Sequence, residues 1–157
     1  MFKKIFGIRS SNNSSIEPIV PKENYSIFKL TIDNGLAFAT INTGYNNYPN
    51  KKTYPWYTEV IMKIHDKNEN GHPTNEEAEV LNDLENRITN FLKLTQTVHT
   101  LGRVTRNGER DIIYYIDQPN LDESKVKEFF DSINAIRSVN LTLKKDEHWA
   151  NVGAFIK

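Results

Sequence analysis

The chain has 157 residues, with 20 Lys and Arg residues against 20 Asp and Glu residues and no cysteine. This length suits one domain with a single core, and the lack of cysteine excludes disulfides and thiolate metal ligands. Zero net charge gives no overall basic surface, so we expect no DNA partner, although a local patch could still bind RNA. No apolar run reaches the length of a membrane span, and no signal-peptide core is apparent, so we expect a cytoplasmic protein without a transmembrane segment.

Residues 1–22 are expected to be a flexible tail that precedes a single α+β domain at residues 23–157. The polar stretch SSNNSS is followed by Pro18 and Pro21, which is typical of a linker. The start of the chain, MFKKIFGIR, could instead form a short amphipathic turn that touches a membrane or a partner. A helix of that length is marginal in water when isolated, so the flexible tail is the favoured interpretation.

The first half of the domain is predicted to contain three strands. YSIFKLTID alternates along its length so that every second residue contributes to one apolar face. Asn34-Gly35 indicates a two-residue hairpin turn before the returning strand LAFATINT, because both residues tolerate positive φ. A long loop is expected at residues 44–55, and the aromatic and β-branched residues of WYTEVIMKI favour a third strand.

The second half is predicted to contain two helices and three strands. TNEEAEVLNDLENRITNFLKL is the clearest helix, because Thr74 and Glu77 form a capping box and apolar residues recur every three or four positions. VHTLGRVTR and ERDIIYYID flank Asn107-Gly108 and predict a second hairpin. LDESKVKEFFDSINAI predicts a second amphipathic helix, and SVNLTLKK predicts the last strand.

The order of these elements predicts an α+β fold of the ferredoxin-like type. Without the first hairpin, the order is β-α-β-β-α-β, which is the split βαβ arrangement. Two helices would cover one face of an antiparallel sheet through right-handed crossovers. The leading hairpin would extend that sheet or cover its open face.

The stretch DKNENGHPTNEE has the ligand spacing of an EF-hand calcium loop. Asp66, Asn68, Asn70 and Glu77 could supply oxygen ligands. However, the preceding segment is predicted to be a strand rather than a helix, and Pro73 cannot donate a backbone hydrogen bond. Asp, Asn and Gly are also ordinary turn residues. We therefore expect no metal site, and weak calcium binding is the alternative.

No set of residues predicts a catalytic or cofactor site. The four histidines lack the spacing of a zinc site, no glycine-rich phosphate loop links a strand to a helix, and no nucleophile elbow occurs. Asp111 and His99 are the only acid–base candidates, for a hydrolase that ranks last among the functions considered. We therefore expect a protein that is not an enzyme and that needs no cofactor.

GRVTRNGERD is the densest polar cluster of the sequence. If its NG pair forms a two-residue turn, Arg106 lies opposite Glu109, and Arg103 shares a face with Arg110. Two adjacent arginines are suited to a phosphate or to a partner's carboxylate. The alternative is a solvated hairpin tip whose ion pairs contribute little. The residues of this cluster predicted to bind a partner are Arg103, Arg106, Arg110 and Asp111.

The loop YNNYPNKKTYPWY concentrates aromatic residues that could form a second contact surface. Tyr and Trp are common anchors of protein interfaces, and beside Lys51 and Lys52 they could stack on single-stranded bases. The alternative is that the rings pack back on the sheet. Trp149, near the end of the chain, is expected to plug an edge of the core. The loop residues predicted to bind a partner are Tyr45, Tyr48, Tyr54 and Trp56.

Three stretches, GHPTNEEAEVLNDLENRI, LGRVTRNGERDIIYYI and DEHW, together resemble an uncharacterised bacterial family, domain of unknown function 695. The resemblance covers about residues 55–150 and implies no established activity. The layout of the family is similar to that of the bacterial regulator that binds and inhibits ribonuclease E. Small domains of this kind also serve as immunity proteins that neutralise toxins, and both comparisons are analogies of fold.

These observations favour a non-catalytic protein-binding module. We expect an inhibitor, immunity protein or regulator that acts on a bacterial protein partner, such as a toxin or an enzyme. The alternative is a protein that binds or processes RNA or a nucleotide through the arginine-rich hairpin and the open face of the sheet. The absence of an RNP aromatic motif and the zero net charge weigh against that alternative.

Overall fold

The computed structural model describes residues 17–157, which form six β-strands, two α-helices and three short 3-10 helices. The strands are β1 (Tyr25–Ile32), β2 (Gly35–Asn42), β3 (Trp56–Lys63), β4 (Val98–Arg106), β5 (Glu109–Ile116) and β6 (Val139–Lys145). The α-helices are α1 (Asn75–Lys93) and α2 (Glu123–Asn134), and the 3-10 helices are Thr43–Tyr45, Lys51–Thr53 and Ala150–Val152. Most of the predicted tail, with its amphipathic turn, falls in residues 1–16 and lies outside the described residues.

All six strands join one antiparallel sheet in the order β1-β2-β4-β5-β3-β6. The predicted α+β class, antiparallel sheet and two helices are therefore confirmed. The β4–β5 hairpin also has the predicted register, with Arg106 opposite Glu109 and Thr105 opposite Arg110. The length of the NG turn fixes that register, because a turn one residue longer or shorter would place different side chains opposite each other across the ladder.

The turn of the first hairpin lies one residue earlier than predicted. Ile32 pairs with Gly35, so Asp33 and Asn34 form the turn, with φ values of 50° and 61°. Short polar side chains tolerate this left-handed region, and two consecutive positive φ angles match the twist of a hairpin. The glycine therefore begins β2 and does not complete the turn.

Both helices cover the same face of the sheet. Thr74 caps α1 by accepting the Glu77 N–H at 3.3 Å, and Asp122 caps α2 by accepting the Lys125 N–H at 3.1 Å. Apolar residues at three- and four-residue spacing then pack against β3 and β5, and each such side chain contributes about 1.5–3 kcal/mol. The fully buried members include Val60, Met62, Leu81, Leu84, Ile88, Leu92, Ile112, Tyr114 and Ile133.

The opposite face of the sheet is covered by the loop between β2 and β3 and by the residues after β6. These segments carry the buried residues Tyr45, Tyr48, Tyr54, Trp149, Val152 and Ile156, which pack on Ile41, Leu101, Ile113 and Tyr115 of the sheet. The central strands are therefore buried on both faces. No helix among the described residues is long and apolar enough to cross a membrane.

Candidate functional site

The β1–β2 hairpin extends the sheet beyond α1 and leaves its helix-side face open. Phe28, Leu30 and Ile32 point to the opposite face and pack on the core there. The alternating residues of β1 therefore face the helix side, where Tyr25 is 50% and Ile27 is 73% exposed. An isoleucine this exposed within a strand marks this part of the surface as a candidate contact region.

A groove of about 310 Å³ lies between the open face of the hairpin and α1. It is built on a β-bulge in β4 between Thr100 and Gly102. Gly102 has a φ of +144°, and a Cβ at this position would overlap the carbonyl oxygen of Thr40, so only glycine lets β2 and β4 approach this closely. The groove is lined by Tyr25, Thr40, Glu85, Thr100, Gly102 and Arg103.

Arg103 and Arg110 share the same two partners on α1. Arg103 Nη1 donates to Asn82 Oδ1 at 3.1 Å and to Glu85 Oε2 at 3.2 Å. Arg110 Nη1 donates to the same Asn82 oxygen at 2.8 Å and lies 4.0 Å from the Glu85 carboxylate. Burial, together with the nearby charge of Arg103, lowers the pKa of Arg110 to about 10. Two guanidinium groups thus share the Glu85 carboxylate beside the groove.

The other two predicted residues of this hairpin lie on the opposite face of the sheet. Arg106 Nε donates to Asp111 Oδ2 at 2.9 Å, and Arg106 Nη2 lies 2.7 Å from the Glu109 carboxylate. Burial raises the pKa of Asp111, although the hydrogen bond from Arg106 opposes this effect. The four predicted residues therefore do not form one surface, because the sheet separates Arg103 and Arg110 from Arg106 and Asp111.

Of the two interpretations of the tyrosine-rich loop, the structure shows the one in which the rings pack back on the sheet. Tyr45 is only 2% exposed, Tyr48 and Tyr54 are each 6% exposed, and Trp56 is partly buried. The rings pack back on the sheet because Trp149, far along the chain, inserts against them: its indole N–H donates to the Tyr54 carbonyl at 2.9 Å. This confirms the expected core role of Trp149 and removes the three tyrosine side chains from any contact surface.

His99 lies in the same aromatic cluster and is fully buried. Tyr48 donates its hydroxyl hydrogen to the Ile19 carbonyl at 2.8 Å, so it can only accept from His99 Nε2, at 3.4 Å. Tyr45 then donates to Nδ1 at 2.9 Å, which fixes a neutral imidazole with the hydrogen on Nε2. Burial lowers the pKa of His99 to about 4. Asp111 makes its ion pair with Arg106 elsewhere on the sheet, so the two acid–base candidates named from the sequence do not contact each other.

The face on which RNA bases would stack in the alternative hypothesis is occupied by the protein's own rings. Trp149 stacks on Tyr115 with ring centroids 4.1 Å apart and an interplanar angle of 13°. Tyr48 stacks on Trp149 at 5.3 Å and 24°. Asp146 holds this arrangement in place, since it accepts hydrogen bonds from the Tyr115 hydroxyl at 2.6 Å and from the Ala150 N–H at 2.9 Å.

The calcium-like stretch forms a turn in which two of the four candidate ligands, Asn68 and Glu77, accept hydrogen bonds from within the protein. Asn68 Oδ1 accepts the N–H groups of Asn70 and His72, at 2.9 and 3.1 Å. The Glu77 carboxylate, which would be the bidentate ligand of an EF-hand loop, accepts from the His65 N–H at 2.9 Å and from Arg137 Nε at 2.8 Å. Because Glu77 accepts these hydrogen bonds, it does not accept one from the Thr74 N–H, which would be the second hydrogen bond of the predicted capping box. Among residues 17–157, no group of three or more His, Asp or Glu side chains is placed to hold a metal ion.

Sequence reasoning identified Arg103 but missed the residues that accompany it. Tyr25, Thr40, Thr100 and Glu85 come from four different elements, and the sheet order brings them to one groove. One local signal was present, because an isolated glycine inside a strand pattern indicates a bulge or a close backbone approach. Gly102 is such a residue.

No curated protein and no solved structure matches this chain. The model of a family of unknown function, DUF695, matches residues 23–155, which include every element of the sheet and both helices. The chain therefore belongs to the DUF695 family.

Proposed function

We propose that this protein is a non-catalytic protein-binding module and that its partner docks along β1. The observation that carries this proposal is that β1 is an edge strand of eight residues whose third residue, Ile27, is 73% exposed. A long edge strand with an exposed apolar residue is a template for pairing with another chain. An extended segment of a partner that adds to such an edge gains main-chain hydrogen bonds along its length.

The hydrogen-bond alternation of the hairpin identifies the backbone groups that a partner would contact. Just before β1, the Thr43 N–H donates to the Asn24 carbonyl at 2.8 Å, so this facing pair is a hydrogen-bonded one. In an antiparallel ladder such pairs alternate, so the even-numbered residues of β1 bond to β2. The odd-numbered residues, including Ile27 and Lys29, direct their N–H and C=O groups to the free edge.

The other edge of the sheet is less suited to pairing. The side chains of Val139 and Leu141 in β6 pack beneath the helices, and the strand ends in Lys144 and Lys145. Lysines on an edge strand discourage pairing with another chain, whereas β1 carries one lysine and no proline. These differences favour β1 as the docking strand.

The class of module that fits best is an inhibitor, immunity protein or regulator of a toxin or enzyme in the bacterial cytoplasm. We infer that the four strands β3, β4, β5 and β6 and the two helices follow the ferredoxin-like arrangement. Their order in the sheet is β6-β3-β5-β4, so the first and third strands in the chain, β3 and β5, lie in the middle. In that arrangement the β1–β2 hairpin is an addition at the edge, which supports a specialised role for it.

RNA or nucleotide binding through the arginine-rich hairpin is supported less well. The stacking face is filled by Trp149, and the arginines of the hairpin are divided between the two faces of the sheet. Steep salt dependence of RNA binding would favour this alternative over the protein-binding module.

Pull-down from the native organism with paired edge variants tests the proposal. Lys29→Pro removes one outward N–H of β1 and leaves the ladder to β2 intact. Lys145→Pro is the matched control on β6. The Lys63 N–H donates to the Ser138 carbonyl, so this facing pair is hydrogen-bonded. By the same alternation, the backbone N–H of Lys145 points to the free edge of β6. We expect one stoichiometric protein with the wild type and Lys145→Pro, and at least a tenfold loss with Lys29→Pro. Equal recovery with both variants, or no partner together with substrate turnover by the purified protein, would overturn the proposal.

A further inference from the structure

We propose that the groove between α1 and the β1–β2 hairpin binds a small ligand through a phosphate or carboxylate group, with Arg103 as the anchor. This site lies on the helix side of the sheet and does not depend on the docking of a partner along β1. It combines a concave shape with hydroxyl donors around one partly exposed guanidinium group.

Arg103 and Arg110 have one carboxylate in direct contact, and the carboxylates of Glu23 and Glu77 lie near Tyr25 and Arg110. Glu85 is the carboxylate shared by Arg103 and Arg110, and the other shared acceptor is the neutral amide oxygen of Asn82. Arg110 is 4% exposed, and its Nε has no acceptor among residues 17–157. A buried cation with an unpaired donor costs free energy, and an oxyanion nearby would offset that cost.

Arg103 has the donors needed to hold an oxyanion. Its hydrogen bonds to Asn82 and Glu85 both come from Nη1, while its side chain is 35% exposed at the groove. The guanidinium group therefore keeps further N–H donors that face neither α1 acceptor. A planar fork of this kind binds phosphate or carboxylate oxygens in pairs.

The remaining lining residues suit the same chemistry. Thr40 and Thr100 lie on neighbouring strands of the same face and bring hydroxyl groups to the groove, and Tyr25 adds a phenol at its rim. The bulge at Gly102 brings the β2 and β4 backbones together beneath them. The volume of about 310 Å³ is at the lower end of the range for ligand pockets, which fits a small metabolite better than a polymer.

Titration of the full-length, ¹⁵N-labelled protein tests the site. Inorganic phosphate and acetate are added separately at constant ionic strength, and amide shifts are followed by NMR. We expect a saturable shift centred on Thr40, Thr100 and Arg103 with at least one of these anions. Tighter binding of phosphate would indicate a phosphate ester as the ligand, and tighter binding of acetate would indicate a carboxylic acid.

Two arginine variants make the test specific. Arg103→Gln should weaken the binding at least tenfold and keeps a side chain that can hydrogen-bond to α1. Arg87→Gln is the matched control, because it removes the same positive charge from a residue outside the groove. Arg87 belongs to α1 and lies at a surface shared with Asn90 and Phe129. Thr100→Val, which removes a hydroxyl at nearly constant volume, should also weaken binding. The proposal is overturned if neither anion gives a saturable shift at the groove, or if Arg103→Gln and Arg87→Gln have equal effects.

Discussion

The burial of His99 predicts a loss of stability in mild acid. The imidazole is neutral in the folded protein, where burial lowers its pKa from 6.5 to about 4. Below pH 6.5 the unfolded chain therefore binds a proton that the folded protein does not bind. The contribution of the neutral ring is fully present above that pH and is lost as the pH falls towards 4. The two pKa values correspond to a decrease of about 2 kcal/mol in the free energy of unfolding between pH 7 and pH 5.

Urea unfolding followed by tryptophan fluorescence at several pH values between 5 and 7 measures this decrease. His99→Gln provides the comparison, because glutamine keeps polar groups for Tyr45 and Tyr48 but does not titrate. Its free energy of unfolding should change about 2 kcal/mol less than that of the wild type over the same range. Other groups, including Asp111, titrate in both proteins and cancel in the comparison. Parallel pH profiles for the two proteins would refute the buried, neutral imidazole.

Three substitutions test other parts of the structure by urea unfolding. Gly102→Ala should lower the free energy of unfolding by at least about 2 kcal/mol, because alanine would have to adopt a positive φ and its Cβ would overlap the neighbouring backbone. A decrease below about 0.5 kcal/mol would contradict the bulge geometry. Arg137→Met should cost about 3 kcal/mol, because it leaves the buried Glu77 carboxylate without its cation, whereas the exposed control Lys127→Met should change stability by less than about 0.5 kcal/mol. Trp149→Ala should cost about 3–5 kcal/mol and abolish the near-ultraviolet circular dichroism of the aromatic cluster; an unchanged spectrum would show that the stack does not order these rings.

The elements that could be predicted from the sequence are those determined by local signals. The spacing of apolar residues in α1 and α2 and the NG turn between β4 and β5 depend on neighbours within a few residues, so they indicated the correct elements and register. The turn at Asp33 and Asn34 was displaced by one residue because several adjacent residues there tolerate positive φ. Which of these residues form the turn depends on the packing of Phe28 and Leu30 against the core on the opposite face, and the sequence around the turn does not show that packing.

The aromatic loop and the groove could not be predicted because they depend on contacts between distant segments. Tyr48 is equally suited to an interface and to a core, and it is buried because Trp149 lies about 100 residues later and stacks on it. The groove needs β2, β4 and α1 to meet, so the sequence could show that Arg103 and Arg110 share a face but not that α1 lies beside them. The sheet order supplied that information.

The β1 edge and the groove use different parts of one hairpin, and this difference separates the two proposals. Lys29→Pro changes the backbone of the edge, whereas Arg103→Gln changes a side chain in the groove. If the oxyanion belongs to the docked partner, each variant weakens the complex, and the loss in the double variant differs from the sum because both act on one interface. If the oxyanion belongs to a small molecule, Arg103→Gln leaves partner recovery unchanged and weakens only anion binding. Partner recovery with Arg103→Gln therefore distinguishes an acidic or phosphorylated side chain of the partner from the independent ligand proposed for the groove, and the double variant shows whether the two sites act on one interface.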